Sequence, residues 1–226
     1  EHLAAHGLTC PQPVRGRDGQ ALRHLAGRHA AITTFLPGVW PRRVRPEHCA
    51  PLGAALAQLH LAGAGYAPTR RNALGPHGWP PLLARSLASR DAVEALQPGL
   101  AAEGQRAQAA IRAGWPTDLP IGHVHADLFP DNVFFLGDNL SGLIDFYFAC
   151  TDTLAYDVAI CLNAWCFEPD HAYNITKGRA LLKAYERVRP LSPAEHDALP
   201  VLARGAAMRF LLTRLVDWLA VPDGAL

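Results

Sequence analysis

The sequence has almost no net charge. Its 226 residues contain 21 Lys and Arg against 20 Asp and Glu, which leaves a formal charge of +1. Because nucleic acids and anionic membranes are recognised through clustered positive charge, this balance gives no reason to expect either partner. No apolar run approaches the about 20 residues that a transmembrane helix requires. We therefore predict a soluble protein that binds neither nucleic acid nor membrane.

Cysteine patterns typical of disulfide scaffolds and redox motifs are also missing. The five cysteines are odd in number and include no C-x-x-C pair, and no signal-peptide pattern is present. We predict a cytoplasmic protein in which reduced thiols pack as small apolar side chains. The sequence leaves the oligomeric state open.

The beginning of the sequence lacks both a methionine and a helix start. Residues 1–6 read as the later part of a helix, and Gly7 is the type of residue that ends one. We therefore expect this sequence to be a fragment from which the first part of that helix is absent.

Short apolar runs near the start are followed by helical periodicity. Segments 21–25 and 30–36 predict a β-hairpin, and Pro37 marks a hinge or chain reversal. From Pro46 onward the apolar residues recur with the period of a helix. Further helices are predicted over about 81–95, over 100–113 and in the tail from Ser192, where a serine, a proline and a glutamate form a helix-start signal.

Polar side chains flank a second predicted β-hairpin. Residues 133–136 and 141–144 predict its two strands, and residues 137–140 predict a four-residue turn. In simple register Asn132 would then face Asp145. An amide oxygen and a carboxylate would therefore leave the open end of the hairpin together.

These two oxygen ligands suit Mg²⁺. The ion favours carboxylate and carbonyl oxygens and keeps its other positions for water and substrate phosphates. Asp127 lies five residues before Asn132, in the loop that enters the same hairpin. A carboxylate beside a metal pair can accept a hydroxyl proton and direct the oxygen toward phosphorus. The pattern therefore predicts phosphoryl transfer to an alcohol.

The spacing of His125, Asp127 and Asn132, with Asp145 after the hairpin, resembles the catalytic loop and metal-binding aspartate of the protein-kinase-like superfamily. A proline inside the loop, and no arginine after the histidine, make it similar to the aminoglycoside phosphotransferase branch. The resemblance implies that Asp127 is the catalytic base and that Asn132 and Asp145 bind Mg²⁺. It also implies that His125 orients the loop and that Asp157 is a buried brace behind it.

Other phrases extend this likeness. The segment that contains Thr34, Phe35 and Leu36 resembles the hinge of that family, whose backbone contacts the adenine of ATP. The runs 145–150 and 162–166 are similar to bacterial homoserine kinases within that branch. This resemblance implies ATP-dependent phosphorylation of the side-chain hydroxyl of L-homoserine, a step in threonine biosynthesis.

The acceptor site is less clearly marked in the sequence. Arg71 and Asn72 belong to a sequence segment similar to one in homoserine kinases. Taken singly, each residue is also typical of a solvated loop without a function. Tyr147 and Trp165 are candidates either for pocket walls or for core aromatics. Choline or an aminoglycoside is an alternative acceptor, but an aminoglycoside site should be acidic and the balanced charge offers little support for one. Outside catalysis, the chain could be an inactive nucleotide-binding module.

The run of His123, His125 and Asp127 also resembles the ligands of a metallohydrolase. Such sites generally need a further histidine just after the aspartate, and Leu128 occupies that place. Because short motifs of this kind often match by chance, we give this alternative little weight.

The resemblance implies an α+β fold of the protein-kinase-like, aminoglycoside phosphotransferase type. Residues 1–37 would be the remnant of the N-terminal β lobe with its hinge, and residues 38–226 the mostly helical catalytic lobe that carries the hairpin. The Gly-rich phosphate loop and the lysine of that family are not in the sequence. Because those groups supply much of the electrostatic stabilisation in this chemistry, we expect the fragment alone to be inactive or nearly so.

Overall fold

The structure, a computed structural model, describes residues 1–221 and confirms the predicted α+β class. Within that range, no helix combines the length and the apolar character needed to cross a membrane. The helices are α1 (His2–Ala5), α2 (Pro46–Gly63), α3 (Trp79–Leu87), α4 (Arg90–Leu96), α5 (Leu100–Ala113), α6 (Leu154–Trp165), α7 (Ile175–Glu186) and α8 (Pro193–Leu219). The strands are β1 (Arg23–Leu25), β2 (Arg28–Ala30), β3 (Ile121–Val124), β4 (Val133–Leu136), β5 (Asn139–Leu143) and β6 (Cys150–Thr153).

The strands form three antiparallel pairs, β1 with β2, β3 with β6 and β4 with β5. A hairpin forms near the N-terminus as predicted, but its second strand was misplaced: it begins at Arg28, in the predicted turn, and ends at Ala30, where the predicted strand begins. Beyond it, Pro13 and Thr33 form a single bridge. A proline has no N–H to donate, so it limits how far this pairing can extend.

The helical core is built around α2 and α6, which pack against α7 and α8. Leu52, Leu56 and Leu59 of α2 are buried, as the periodicity predicted. Gly53 lets α7 approach closely, because a Cβ atom there would lie 2.2 Å from the backbone oxygen of Leu181. All five cysteines are buried and free, in agreement with the prediction of packed thiols.

Helix α8 begins where the sequence predicted. The Ser192 side chain accepts a hydrogen bond from the Glu195 backbone N–H at 3.2 Å, and the Glu195 carboxylate accepts one from the Ser192 N–H at 2.9 Å. This reciprocal cap fixes the first turn of a helix that continues through Pro200 to Leu219. Its middle section reaches the loop that leads into β4.

The second hairpin forms, but its predicted turn is wrong. Gly137 and Asp138 alone connect β4 to β5, because Gly137 adopts the φ of 62° that a two-residue turn requires at its first position. An irregularity between Phe134 and Phe135 then shifts the pairing by one residue. The tight turn shifts the pairing by two residues from the predicted register and the bulge restores one of them, so the open end differs from the prediction by one residue.

The predicted hinge segment, residues 34–38, leads onto the edge of β4. The Val39 N–H donates to the Phe135 oxygen at 3.0 Å, and the Phe135 N–H donates back at 2.9 Å. The Ser141 hydroxyl donates to the Pro37 oxygen at 2.7 Å. These bonds join the segment around residue 37 to the hairpin, and the proposed division of the chain at that residue stays a prediction.

Candidate active site

The candidate catalytic loop, residues 125–132, is anchored from behind by one buried carboxylate. Asp157 of α6 is fully buried. It accepts hydrogen bonds from the backbone N–H of His125 at 2.7 Å and from that of Ala126 at 2.9 Å. Ala126 has a φ of 61°, which is unfavourable for a residue with a side chain and persists only where the surroundings hold it. This placement agrees with the bracing role expected for Asp157.

A histidine from α2 completes this anchor. His60 Nε2 donates to Asp157 at 3.3 Å, and its Nδ1 accepts from the Tyr185 hydroxyl at 2.8 Å. Burial by itself raises the pKa of Asp157, but the hydrogen bond from His60, together with interactions with His125, outweighs burial and lowers that pKa below its ordinary value. The carboxylate is therefore ionised at neutral pH.

His125 ties the loop to the hairpin. Its Nε2 donates to the backbone oxygen of Ile144 at 2.8 Å, so the residue before Asp145 is held against the loop. This contact is consistent with the orienting role that the resemblance implied for His125.

Asn132 and Asp145 stand at the open end of the hairpin, although not directly opposite each other as predicted. Val133 pairs with Leu143, and the Ile144 N–H donates to the Asn132 backbone oxygen at 3.0 Å. Asp145 therefore lies one residue beyond the ladder, where it adopts a φ of 59° and is exposed. The bulge and the tight turn, neither of which simple register includes, account for the difference.

Asp127 lies beside this pair. The Asn132 amide nitrogen donates to the backbone oxygen of Asp127 at 2.8 Å and lies 3.4 Å from its carboxylate. Burial raises the pKa of Asp127, Arg209 and His125 oppose that rise, and the charge of Asp145 adds to it. Asp127 and Asn132 are therefore in direct contact where the hairpin begins.

The donor set at this end of the hairpin fits a divalent cation that arrives with a phosphate ligand. The Asn132 nitrogen is used within the loop, which leaves its amide oxygen for a ligand, and Asp145 is accessible. Within residues 1–221 no three His, Cys, Asp or Glu side chains are grouped as a metal site. Mg²⁺ is commonly bound in this incomplete way, through one or two carboxylates plus substrate phosphates.

The metallohydrolase alternative does not fit the structure. The two ring nitrogens of His123 lie 2.8 Å from the backbone oxygens of Gly63 and Pro68. Because His125 Nε2 is bonded to the Ile144 oxygen, these two histidines do not converge on a common metal position.

Sequence reasoning missed Arg209, which α8 brings to the candidate base. Its side chain is 2% exposed, and its Nη2 lies 3.8 Å from the Asp127 carboxylate. Its Nη1 donates to the backbone oxygen of Ala126. The guanidinium also stacks over Phe148 at 5.0 Å and Phe210 at 4.2 Å. The sequence offered one signal, an arginine on an otherwise apolar helix face, but not the identity of its partner.

The candidate hinge residues differ in what they offer a ligand. The Thr34 N–H donates to the Gln12 oxygen at 2.8 Å, whereas Phe35 has a side chain that is 87% exposed. The backbone N–H groups of Phe35 and Leu36 donate no hydrogen bond to any residue within 1–221.

Two of the predicted acceptor residues line a cavity whose lining does not include Asp127. Arg71 and Asn72 line a cavity of about 420 Å³ together with Asp152. The Asn72 side chain is buried and donates to the Asp152 carboxylate at 2.6 Å. Asp152 pairs with Gly122 in β3, and Arg71 forms a bridge with Thr151, which pairs with His123 in the same strand.

The other two predicted acceptor residues differ in exposure. Tyr147 is 71% exposed and follows Asp145 closely, so it stays a candidate for ligand contact. Trp165 is fully buried, and its indole N–H donates to the Leu128 oxygen at 2.8 Å. The prediction of a substrate contact for Trp165 is therefore corrected, because this side chain supports the loop from the core.

A cavity beside the candidate catalytic loop was not predicted. This α8 cavity, about 590 Å³ in volume, lies between α6, α8 and Phe129 of the loop. Its walls are mainly apolar, and the residues that line it include Phe129, Asn163, Phe210, Arg214 and Trp218.

The chain is similar in sequence to known phosphotransferases. The sequence profile of the phosphotransferase enzyme family matches residues 1–191. The homoserine kinase of Granulibacter bethesdensis is 68% identical over 226 residues, which cover 100% of this chain and 70% of that protein. The homoserine kinase of Acidiphilium cryptum is 69% identical with the same coverage.

Solved structures share the fold at low sequence identity. An amicoumacin kinase in complex with AMP-PNP, Ca²⁺ and Ami has a TM-score of 0.71 at 17% identity, covering 100% of this chain and 69% of that one. A type VIII aminoglycoside-3'-phosphotransferase has a TM-score of 0.61 at 24% identity, covering 94% and 76%. The predicted kinase-like fold is therefore confirmed, and the chain belongs to the phosphotransferase enzyme family.

Proposed function

We propose that this protein transfers the γ-phosphate of ATP to the side-chain hydroxyl of L-homoserine, a step in threonine biosynthesis. The acceptor follows from relatives named homoserine kinase, which are 62–69% identical over the chain. The proposed chemistry is supported by one arrangement: the Asn132 amide is bonded to Asp127 at the open end of the hairpin, and Asp145 follows Ile144, whose N–H is bonded to Asn132.

Each of these three residues has a separate task in the proposed reaction. The Asn132 amide oxygen and the Asp145 carboxylate would hold Mg²⁺, which supplies positive charge to the phosphate oxygens when bound. Asp127 would accept the proton of the homoserine hydroxyl and direct its oxygen toward phosphorus. Asp157 and His125 would keep the loop and the hairpin in register for this step.

The hinge segment is the proposed adenine site. The backbone N–H groups of Phe35 and Leu36, which have no acceptor within residues 1–221, are suited to donate to a ring nitrogen of adenine, whereas the N–H of Thr34 is already bonded to Gln12. The exposed Phe35 side chain would be covered in part by the nucleotide. The five buried free cysteines agree with a reducing compartment, and we therefore place the enzyme in the cytoplasm.

Nucleotide binding tests the metal assignment without requiring turnover. We expect Asn132→Ala and Asp145→Ala each to remove most of the gain in ATP affinity that Mg²⁺ produces, about tenfold or more, because each loses one metal ligand. Isothermal titration with ATP, with and without Mg²⁺, measures this gain. The matched control is Asp138→Asn, in the turn at the far end of the same hairpin. Equal gains in wild type and both variants would refute the metal assignment.

An acceptor panel tests the reaction itself. ADP release from the full-length protein is measured with L-homoserine, choline and an aminoglycoside. We expect kcat/KM to be highest for L-homoserine. A higher value for either of the other alcohols would assign the acceptor to that class, and ATP binding without turnover of any alcohol would support a nucleotide-binding module.

A further inference from the structure

The α8 cavity begins at the candidate catalytic loop. Phe129 forms part of its wall and lies two residues after Asp127. The Phe129 N–H donates to the Asp127 backbone oxygen at 2.9 Å, so the position of this wall is fixed relative to the base. One wall of this cavity is therefore coupled to the backbone that carries the candidate base.

Two polar side chains stand among the apolar walls. Arg214 of α8 places its guanidinium over the rings of Phe129 at 5.3 Å and Phe210 at 5.4 Å. It is exposed and forms no ion pair with an acid in the described part of the chain. The two rings restrict the position of the guanidinium, and a guanidinium can bind a carboxylate through two parallel hydrogen bonds.

Asn163 of α6 supplies the second polar group. Its amide nitrogen donates to the Ala203 backbone oxygen at 2.7 Å, which fixes the orientation of the amide. The amide oxygen is then the atom left for a ligand. Because an ammonium group can only donate hydrogen bonds, it is a suitable partner for that oxygen.

We propose that Arg214 and Asn163 form a subsite for the carboxylate and ammonium groups of an amino-acid acceptor. This inference rests on the proposed function. Such a subsite makes the enzyme selective for zwitterionic alcohols. No acidic residue is among the described residues that line the cavity. Choline and aminoglycosides carry positive charge without a carboxylate, so Arg214 would repel them while it attracts L-homoserine.

The test of Arg214 uses two alcohols that differ in one group. 3-Aminopropan-1-ol is L-homoserine without its carboxylate. In the full-length protein we expect Arg214→Met to lower kcat/KM for L-homoserine roughly 10- to 100-fold, mainly through KM, since a charged hydrogen-bonding group is lost. The kcat/KM for 3-aminopropan-1-ol should stay the same or rise, because the repulsion of this cation is removed, and the KM for ATP should not change. Arg214→Lys should recover part of the loss, since it keeps the charge without the bidentate geometry.

A second pair tests the other half of the subsite. 4-Hydroxybutyrate is L-homoserine without its ammonium group, so Asn163→Ala should lower kcat/KM for L-homoserine about tenfold and leave 4-hydroxybutyrate unaffected. The control for both variants is Arg204→Met, at an exposed position on α8 outside the cavity lining.

Three outcomes decide the proposal. Selective loss for the substrates that carry the matching group supports the subsite. Equal losses with L-homoserine and its truncated analogues would show that the residues act on folding or on the catalytic loop, which overturns it. Failure of the wild-type enzyme to phosphorylate L-homoserine would instead overturn the proposed function, and the subsite with it.

Discussion

Replacing Asp127 with asparagine should lower kcat by about 10²- to 10⁴-fold, the range expected when a general base is removed. Asparagine has the same shape but cannot accept the hydroxyl proton. The loop should keep its conformation, because the Asn132 side chain is bonded at 2.8 Å to the backbone oxygen of residue 127. The measurement is steady-state ADP release by the full-length protein with saturating L-homoserine and Mg²⁺-ATP.

The affinity for Mg²⁺-ATP separates a lost base from a damaged site. Because Asp127 is not assigned as a metal ligand, Kd for Mg²⁺-ATP should change by less than about threefold, within the small effects typical of substitutions that leave the contacts intact. The matched control is Asp131→Asn, an exposed acid in the same loop, which should retain wild-type kcat. A fall in kcat of less than about tenfold in Asp127→Asn would be too small for a general base.

The local pattern of the sequence could predict the parts of the site that are close together in the chain. The spacing between His125 and Asn132 indicated a loop, and the apolar neighbours of Asp157 indicated that this acid is buried. The helix start at Ser192 followed from three residues of one turn. These features depend on interactions over a few residues, which is why sequence reasoning could reach them.

Contacts between distant segments were beyond the same reasoning. Arg209 meets the loop across 83 residues of sequence, and His60 meets Asp157 across 97. The register of the second hairpin depends on a bulge next to the hinge segment, where the Ser141 hydroxyl donates to the Pro37 oxygen at 2.7 Å. Periodicity within one strand contains no information about such a partner. Trp165 failed as a substrate candidate for the same reason, because its burial depends on how α6 packs beneath the loop.

Replacing Asp157 with asparagine should lower the free energy of unfolding by about 3–5 kcal/mol, the cost of breaking a buried charged network by removing one partner. The carboxylate now accepts from the N–H groups of His125 and Ala126 and from His60. An amide offers one oxygen in place of two, so it turns an NH₂ group toward a donor and leaves a buried N–H without an acceptor. Chemical denaturation at neutral pH measures this loss, and kcat should fall as well because the loop bearing Asp127 loses its anchor.

The pH dependence identifies the charge of Asp157 as the cause. Its pKa is lower in the folded protein than in the unfolded chain, so its contribution is complete above the unfolded value, about 3.9, and is lost as the pH falls through the folded value. The difference in unfolding free energy between wild type and Asp157→Asn should therefore be largest near neutral pH and shrink below pH about 4. Asp197→Asn, an exposed acid on α8, should differ from wild type by less than about 0.5 kcal/mol throughout. A difference for Asp157→Asn that stays constant down to acidic pH would mean that packing, rather than the buried charge, holds the loop in place.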